Sequence, residues 1–550
     1  MLSGKQDFRF RWLNIYDLTV ISLVSVISMV NINIYREWGS KVNAKAIGFA
    51  FSSPNEAFAS SASSPVLMNI LVVAFLIGCG SYLSKRLIMD GFSVHVLPFW
   101  KRAVFTAGVL SMAFLFIRGG LGVSPNNQSM AYYSQKQVLN HAAVNTYWNL
   151  IADLLKSRHA EDNPYAYFGE QEAQAVVNHL QQPVKDTTIH MLTVSRPNVV
   201  LIIMESFTAD LTQALGNETG ITPGFDSLIK QGVLFSRIYS TGNRTDKGVV
   251  GTLSGEPGLS KESLMKWPGK MERIPSVAVD LLKNNYKTLF FYGGQSEFDN
   301  YKAYVLSHSY QTLIDKSKFG AHEMNSKWGA YDGVVFNRQL QELNQTAEPF
   351  FSTQLTLTNH EPFEVPGHSR FGDSDNIQKF KSTAFYTDSC LQDFLQQAKR
   401  QTWYKNTLFI FVADHGHIMP KNRAAIYIPQ RYHIPLLFYG DVIKKEFRGK
   451  VMTKTGSQAD VAATLLHQLN IDARAYVWSK NLMNPYTKPF AFFSWDDGMG
   501  FIDNKHCVTF DNVGKNILYN DEPENIEDSN TLLNYSKAYL QTAYQRFLRL

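Results

Sequence analysis

The hydrophobic positions of this chain are unevenly distributed, with long uncharged runs confined to about its first fifth. These runs are Leu18–Ile34, Pro65–Tyr82 and Ala103–Ile117. A helix needs about 20 residues, and at the least about 17, to cross about 30 Å of hydrocarbon. The first two runs are long enough, and the third needs residues from its flanks. The pattern therefore predicts about three transmembrane helices within residues 1–118.

Two other interpretations of these runs are disfavoured. Helices buried in a globular domain would be accompanied by amphipathic segments, and none lies between these runs. A cleaved signal peptide would carry a small-residue cleavage site after the first run, and two further apolar runs would not follow it.

Basic residues in the short loops predict the orientation of the helices, because they accumulate on the cytoplasmic side of a membrane. Three precede the first run and four separate the second from the third: Lys5, Arg9 and Arg11, then Lys85, Arg86, Lys101 and Arg102. The longer stretch 36–64 holds only Arg36, Lys41 and Lys45. With three crossings that start inside, everything after Arg118 is expected to lie outside the cytoplasm.

Residues 119–195 are expected to connect the membrane helices to an outer domain that spans residues 196–550. Glycine, proline and asparagine interrupt the start of this connector. Further on, Ala142–Leu155 has apolar residues at helical spacing. Such a helix lies either at the membrane interface or against the outer domain, and the sequence alone leaves both possibilities open.

From Arg196 onwards, short apolar runs alternate with amphipathic helical patterns. The predicted strands are Asn198–Met204, Val233–Tyr239, Thr288–Tyr292, Leu408–Val412 and Ile434–Tyr439, and the predicted helices include Ser276–Leu282, Phe385–Lys399 and Gln458–Leu469. Strands that are apolar on both faces are typical of a parallel sheet covered by helices. We therefore predict the α/β class, with transmembrane helices followed by an α/β sandwich around a central, mostly parallel sheet.

Composition narrows the classes of function. Hydrophobic residues make up 45% of the 550 residues and charged residues 18%, which excludes a disordered chain. The balance of 53 basic and 47 acidic residues does not require a nucleic-acid partner, and none is expected. The three cysteines, Cys79, Cys390 and Cys507, form no CxxC pair, so a disulfide scaffold, a zinc ribbon and a thioredoxin-like site are excluded.

Acidic residues stand at the carboxyl ends of two predicted strands, which is where open α/β sheets bind ligands. Glu205 directly follows the first strand, and Asp414-His415-Gly416-His417 follows Leu408–Val412 after one alanine. A carboxylate next to an imidazole offers two kinds of ligand to one divalent cation. Taken separately, Glu205 could equally be a helix cap, and the Asp-His-Gly-His stretch could be a polar turn.

A hydroxyl on the turn after a third predicted strand is a candidate nucleophile. Thr245 lies six residues beyond Val233–Tyr239, close to the start of a predicted helix. A threonine needs activation to attack, which a bound metal supplies by lowering the pKa of its hydroxyl. The alternative is that Thr245 is a plain N-cap.

Taken together and in this order, these elements resemble the lipoteichoic acid synthase family, within the alkaline phosphatase and sulfatase superfamily. The matching stretches are Arg196–Phe207, Thr222-Pro223, Gly242–Asp246, Phe291–Asn300, Trp328–Asp332, Leu357–Phe363 and Phe411–His417. The resemblance covers roughly residues 18–469. No single stretch would suffice, but the ordered set from Met204 to His417 is specific.

The resemblance implies a role for individual side chains. Glu205, Asp414 and His415 would be metal ligands, with Thr245 as both fourth ligand and nucleophile. The ion would be one divalent cation, most often Mn²⁺ in the family, with Mg²⁺ or Zn²⁺ also used in the superfamily. His360 would bind the phosphoryl group or assist the leaving group, and Trp328 would line the headgroup pocket. Arg244 and Lys247, which flank Thr245, and also His417 are further candidates for substrate binding.

The resemblance also implies a function. A phosphoglycerol headgroup would pass from a phosphatidylglycerol-like phospholipid, through a phospho-threonine, to a hydroxyl on a cell-envelope polymer or glycan. The enzyme would be a multi-pass protein of the bacterial cell (inner) membrane, with the catalytic domain facing the periplasm or the cell exterior. One departure is that the arginine that accompanies the pocket tryptophan in the family is missing here, since Trp328-Gly329 is followed by Ala330-Tyr331.

The same fold also supports functions other than phosphoglycerol transfer. A sulfatase needs a Cys/Ser-x-Pro-x-Arg stretch for its formylglycine, and the cysteines and the serines in the expected region do not fit. Transfer of phosphoethanolamine, hydrolysis of a phosphodiester, and ligand binding without catalysis stay open as alternatives.

Overall fold

The structure, a computed structural model, describes residues 10–38, 41–44, 46–47, 65–88, 98–122, 124–157, 162–324 and 326–550. The chain divides into two compact units, Met1–Asp162 and Asn163–Leu550, which are described separately below. Lys5, Arg9 and most of the 36–64 loop, which entered the orientation prediction, lie outside the described residues.

The first unit contains three apolar helices, α1 (Phe10–Trp38), α2 (Val66–Ile88) and α3 (Phe99–Arg118). Their stretches Asn14–Arg36, Val66–Arg86 and Phe99–Arg118 are long and apolar enough to cross a membrane. The third extends four residues ahead of the predicted run, which supplies the missing length. Most large apolar side chains of these helices are exposed, as expected for surfaces that face lipid.

Two shorter helices follow in the first unit, α4 (Gln137–Ala143) and α5 (Thr146–Ser157). The helix predicted over Ala142–Leu155 is confirmed from Thr146 onwards, but its first two residues belong to α4. Asn145 separates the two helices, because its side chain accepts hydrogen bonds from the backbone N–H of Tyr147 and Trp148. Helix α5 packs against α1, where the Tyr147 hydroxyl donates to the backbone carbonyl of Val24 at 3.0 Å. The partner of this segment within the unit is therefore a membrane-length helix.

The second unit alternates strands with helices along most of its length. Its helices are α6 (Glu170–Gln181), α7 (Gln213–Gly216), α8 (Pro223–Ile229), α9 (Thr245–Ser254), α10 (Pro268–Met271), α11 (Val277–Lys283), α12 (Tyr301–Ser307), α13 (Asp332–Leu343), α14 (Asn376–Ala398), α15 (Asp460–Gln468) and α16 (Ile526–Arg549). Its strands are β1 (Asn198–Met204), β2 (Val233–Tyr239), β3 (Lys287–Tyr292), β4 (Thr312–Ile314), β5 (Phe350–Leu355), β6 (Thr407–Ala413), β7 (His433–Tyr439), β8 (Lys450–Met452), β9 (Gly456–Ser457), β10 (Phe490–Trp495), β11 (Gly498–Asp503), β12 (Cys507–Asp511) and β13 (Ile517–Asn520).

The main sheet has nine strands in the order β4-β3-β5-β1-β6-β7-β2-β8, with β9 also paired to β2. All pairs are parallel except those that β7 makes with β6 and with β2. Every residue of the central strands β1 and β6 is buried, which explains why both are apolar without alternation. The predicted mostly parallel sheet is confirmed.

The register of the central strands brings their carboxyl ends to one edge. Ile203 of β1 pairs with Leu355 of β5 on one side and with Val412 of β6 on the other. Strand β2 runs in the same direction as β6, since both are antiparallel to β7. The segments that follow β1, β2, β5 and β6 therefore all leave the sheet at the same edge.

A second, antiparallel sheet follows the main one, with the order β10-β11-β12-β13. It joins the main sheet beside the loop after β2, where Ser494 donates from its backbone N–H to the Thr241 carbonyl at 3.1 Å. Helix α16 packs on β11, β12 and α6. The side chain of Arg546, on α16, forms an ion pair with the buried carboxylate of Glu256, just beyond α9.

Candidate active site

Two carboxylates meet where β1 and β6 end. Met204 and Ala413 are paired residues of the two strands, so the next residues, Glu205 and Asp414, lie side by side. Asp414 is held in place through its Oδ1, which accepts hydrogen bonds of 2.7 Å from the backbone N–H of Ser206 and of His415. Both carboxyl groups are buried.

His415 completes a three-residue cluster with these carboxylates. Its Nε2 lies 3.8 Å from Oε1 of Glu205 and 3.5 Å from Oδ2 of Asp414. Its other ring nitrogen, Nδ1, donates to the carbonyl of Gly416 at 2.8 Å, because a carbonyl can only accept. In the neutral imidazole, Nε2 is then the acceptor nitrogen and points towards the carboxylates.

The cluster fits a divalent cation. One ligand atom from each of Glu205, Asp414 and His415 lies within 4.8 Å of the others. Oδ2 of Asp414 is buried and has no hydrogen-bond partner among the described residues. Burial and then the Glu205 carboxylate raise the pKa of Asp414 to about 7. Two carboxylates and an imidazole that converge in this way suit an ion such as Mn²⁺, Mg²⁺ or Zn²⁺.

Thr245 contacts this cluster through its hydroxyl. It is the first residue of α9, and its Oγ1 donates to Oε2 of Glu205 at 3.2 Å. The N-cap position of this helix belongs to Arg244, and no side chain caps it. The interpretation of Thr245 as a plain N-cap is therefore wrong, and its hydroxyl faces the candidate metal ligands.

His360 and Trp328 form one side of a small pocket near the loop after β5. Their ring centroids are 4.6 Å apart in an edge-to-face arrangement. The Glu361 carbonyl accepts hydrogen bonds from both side chains, at 2.6 Å from Nε1 of Trp328 and at 2.9 Å from Nδ1 of His360. Tyr331 and Thr358 also line this pocket. The two residues predicted to contact the headgroup and the leaving group are thus neighbours.

His417 lies in an aromatic environment. Its ring stacks on Phe380 with centroids 4.4 Å apart, and its Nδ1 accepts a hydrogen bond of 3.1 Å from the backbone N–H of Met419. Burial, followed by repulsion from His415 and Arg431, lowers the pKa of His417 to about 3. The imidazole is therefore neutral at pH 7 with its proton on Nε2, which makes it an uncharged donor.

The two basic residues that flank Thr245 have different surroundings. Arg244 is exposed, while Lys247 is buried. The ammonium of Lys247 donates to the Ser260 carbonyl at 2.7 Å and lies 4.0 Å from Asp496. Burial is the main cause that lowers the pKa of Lys247 to about 8. Lys247 therefore contacts the segment after α9 and the turn between β10 and β11.

A network of buried polar groups that the sequence reasoning missed holds the His360 loop. Oδ1 of Asp332 accepts hydrogen bonds from the backbone N–H of Leu357 at 2.7 Å and of Thr358 at 3.3 Å. Nδ2 of Asn359 donates to the Glu205 carbonyl at 3.2 Å. Asp332 and Asn359 both belong to stretches that carried the family resemblance, and this resemblance was the feature of the sequence that could have identified them.

A family model and known proteins are similar to this chain. The sulfatase family model matches residues 197–471, half of the chain. The lipoteichoic acid synthase-like protein YvgJ of Bacillus subtilis is 24% identical over 363 residues, which cover 62% of this chain and 57% of that protein. The chain thus spans less than two thirds of the length of this curated relative.

Two solved structures share the fold. A protein of the alkaline phosphatase superfamily from Vibrio parahaemolyticus has a TM-score of 0.59 and 23% identity, over 70% of this chain and 98% of that one. The lipoteichoic acid synthase LtaP from Listeria monocytogenes has a TM-score of 0.58 and 17% identity, over 69% of this chain and 98% of that one. The predicted fold class is confirmed.

Proposed function

The chain belongs to the sulfatase family, and from this membership and the site geometry we propose that it is a phosphoglycerol transferase. The donor is a phosphatidylglycerol-like membrane phospholipid, and the acceptor is a hydroxyl of a cell-envelope polymer or glycan. The names of the relatives, a lipoteichoic acid synthase-like protein and a lipoteichoic acid synthase, support this class of reaction. The apolar helices of the same chain would hold the protein at the bilayer that supplies the donor.

The position of the Thr245 hydroxyl carries the proposal. This hydroxyl stands at the start of a helix, 3.2 Å from a carboxylate of the candidate metal cluster, which supports a role as nucleophile. The first turn of α9 adds the positive end of the helix dipole, which favours an anionic phosphoryl group beside it.

Glu205, Asp414 and His415, together with Thr245, would hold one divalent cation, with Mn²⁺ the first choice and Mg²⁺ or Zn²⁺ the alternatives. When bound, such an ion supplies Lewis-acid stabilisation of the phosphoryl oxygens and of the attacking oxygen. Two carboxylates, one imidazole and one hydroxyl are compatible ligands for each of these ions.

The residues of the chain perform the transfer in two displacements. In the first, the Thr245 oxygen bonds to phosphorus, its proton passes towards the Glu205 carboxylate, and the bond from phosphorus to the diacylglycerol oxygen breaks. His360 gives that oxygen a proton, as a general acid. In the second, the acceptor hydroxyl bonds to phosphorus while His360 takes its proton, and the Thr245 oxygen leaves and is protonated again.

Trp328, Arg244 and His417 orient the substrate in this proposal. The Trp328 ring lines the pocket beside His360, so it would contact the headgroup. Arg244 offers a positive charge, and His417 a neutral N–H, to the phosphoryl oxygens. We assign the catalytic part to residues 196–550 and place it on the periplasmic or exterior side of the bacterial cell membrane.

Mass spectrometry of the full-length protein tests this function. Incubation with phosphatidylglycerol and Mn²⁺, followed by digestion, is expected to give a Thr245 peptide that is heavier by one phosphoglycerol unit. Phosphoethanolamine on the same residue after incubation with a mixed lipid extract would favour the other headgroup. A labelled Thr245→Ala protein, or the absence of any adduct on Thr245, would overturn the covalent route.

A further inference from the structure

A strained turn lies beside the proposed active site. Asp299, in the middle of the short turn Phe298–Asn300, has φ 46° and ψ 24°, and Asn300 has φ 65°. Residues other than glycine rarely adopt this left-handed conformation, and such strain clusters at sites where a side chain must point in a particular direction. Asp299 belongs to Phe291–Asn300, a stretch to which the proposed mechanism assigns no role.

The turn bridges two sides of the site. On one side, the ring of Phe298 lies 6.2 Å from that of Trp328, which contacts His360. On the other, Nδ2 of Asn300 donates to the Met265 carbonyl at 3.1 Å. The next residue, Lys266, lies 3.7 Å from Asp246, the neighbour of Thr245. Asp299 is therefore held between the aromatic wall and the start of the nucleophile helix.

The Asp299 carboxylate has charged neighbours on both sides of the turn. Burial and then Asp246 raise the pKa of Asp299, while Lys266 and Arg244 lower it. Burial and then the charges of Glu205, Asp299 and Asp414 raise the pKa of the buried Tyr292, so Asp299 shares this neighbour with the cluster. Asp299 is half-buried, and no residue in the described part of the chain donates a hydrogen bond to its carboxylate.

We propose that Asp299 is a specificity-determining residue that recognises the hydroxyl groups of the transferred headgroup. The identity of that headgroup rests on the proposed function. A carboxylate accepts two hydrogen bonds from a polyol, and at a half-buried position these charge-assisted bonds distinguish strongly between a headgroup with hydroxyls and one without.

The local charges favour hydroxyls over an ammonium group. Two cations, Arg244 and Lys266, and two carboxylates, Asp246 and Asp299, act on one another here. Their formal charges cancel, so a further cation gains little from the site, while a neutral donor still finds an acceptor. Asp299 thus contacts the headgroup in a pocket that lacks the arginine that accompanies the pocket tryptophan in the family.

Binding of small phosphates to the full-length protein in detergent with Mn²⁺ tests the proposal without any turnover. Glycerol 1-phosphate and ethyl phosphate share the phosphate and differ in the hydroxyls. Wild type is expected to bind glycerol 1-phosphate about tenfold more tightly, the effect of one hydrogen bond to a charged group. Asp299→Gly, which removes the carboxylate and relieves the strain, should bind the two equally, and Asp299→Asn should keep part of the preference.

Asn285→Gly is the matched control, because Asn285 also has a positive φ, 63°, and follows helix α11. It should keep the wild-type preference. The proposal is overturned if Asp299→Gly keeps the preference, if it weakens both ligands equally, or if wild type prefers ethanolamine phosphate to glycerol 1-phosphate. Failure of the transferase proposal is a different result: no lipid turnover by wild type, with the Asp299-dependent binding preference intact.

Discussion

The Thr245 hydroxyl donates a 3.2 Å hydrogen bond to Oε2 of Glu205, although the two residues follow different strands of the sheet. Strand β1 delivers the carboxylate and the loop after β2 delivers the hydroxyl. The contact commits the threonine side chain to the carboxylate cluster and leaves the N-cap position to its neighbour Arg244. Because Thr245 does not cap the helix, its effect on turnover can be measured separately from its effect on the stability of the fold.

Thr245→Ala is expected to lower turnover by about 10³-fold or more, because it removes the attacking atom. The cost in the free energy of unfolding should be only about 1 kcal/mol, the value of one hydrogen bond. Thr245→Ser should keep measurable activity. Thr252→Ala, a buried change on the same helix, is the control and should keep wild-type turnover. An active Thr245→Ala enzyme would exclude the covalent mechanism.

Asp414→Asn is expected to have opposite effects on stability with and without metal. In EDTA the variant should melt at a higher temperature than wild type, because an uncompensated buried charge beside Glu205 disappears. With Mn²⁺ the order should reverse, because a charged ligand is missing. Thermal unfolding and the metal content of the purified protein measure this. Identical metal content in the variant and wild type would refute the ligand assignment.

His360→Ala is expected to slow transfer from a phospholipid by about 10²- to 10⁴-fold, the usual contribution of a general acid. The same variant should release p-nitrophenolate from a p-nitrophenyl phosphodiester at nearly the wild-type rate in the first turnover, because p-nitrophenolate leaves without a proton. Equal losses in this first turnover and in transfer from the phospholipid would assign His360 to phosphoryl binding. The comparison measures the first-turnover burst, because later turnovers also need His360 as the base for the acceptor.

Asp388 is expected to make stability depend on pH. It is buried and accepts hydrogen bonds from the backbone N–H of Gly224 and Phe225, and burial followed by Asp226 raises its pKa to about 7. Its unfolded pKa is about 3.9, so the folded state binds more protons between pH about 4 and 7. The stability that Asp388 contributes is therefore present below pH 4 and lost as pH rises to about 7.

In wild type, Asp388 should change the free energy of unfolding by about 1.4 kcal/mol per pH unit between pH about 4 and 7. Asp388→Asn should remove this pH dependence. Urea unfolding of wild type and variant at pH 5 and pH 8 measures it. Asp393→Asn, an exposed change on the same helix, should leave the wild-type slope unchanged. Parallel pH profiles for wild type and Asp388→Asn would show that Asp388 is ionised throughout this range.

Reporter fusions test the orientation of the membrane helices. A reporter joined after Ser260 is expected to behave as extracytoplasmic, because the basic loops predict that everything after Arg118 lies outside. A cytoplasmic reporter at this position would contradict both the topology and the access of the site to lipid headgroups on the outer side.

The sequence alone determined the features that depend on local pattern. Uncharged runs of membrane length predicted α1, α2 and α3, because the length of an apolar helix is readable without its neighbours. Apolar runs predicted β1 and β6, and the rule that ligands bind beyond strand ends singled out Glu205 and Asp414 before any register was known.

Only the tertiary structure decided how these residues act on one another. The pairing of Met204 with Ala413 puts the two carboxylates side by side, and the Gly416 carbonyl sets the tautomer of His415. The contact of Thr245 with Glu205, the approach of Lys247 to Asp496, and the hydrogen bond of Asn300 in the left-handed turn at Asp299 all depend on partners distant in sequence. Such hydrogen bonds and strained backbone angles produce no periodic pattern in the sequence, since they arise when separate segments meet at one edge of the sheet.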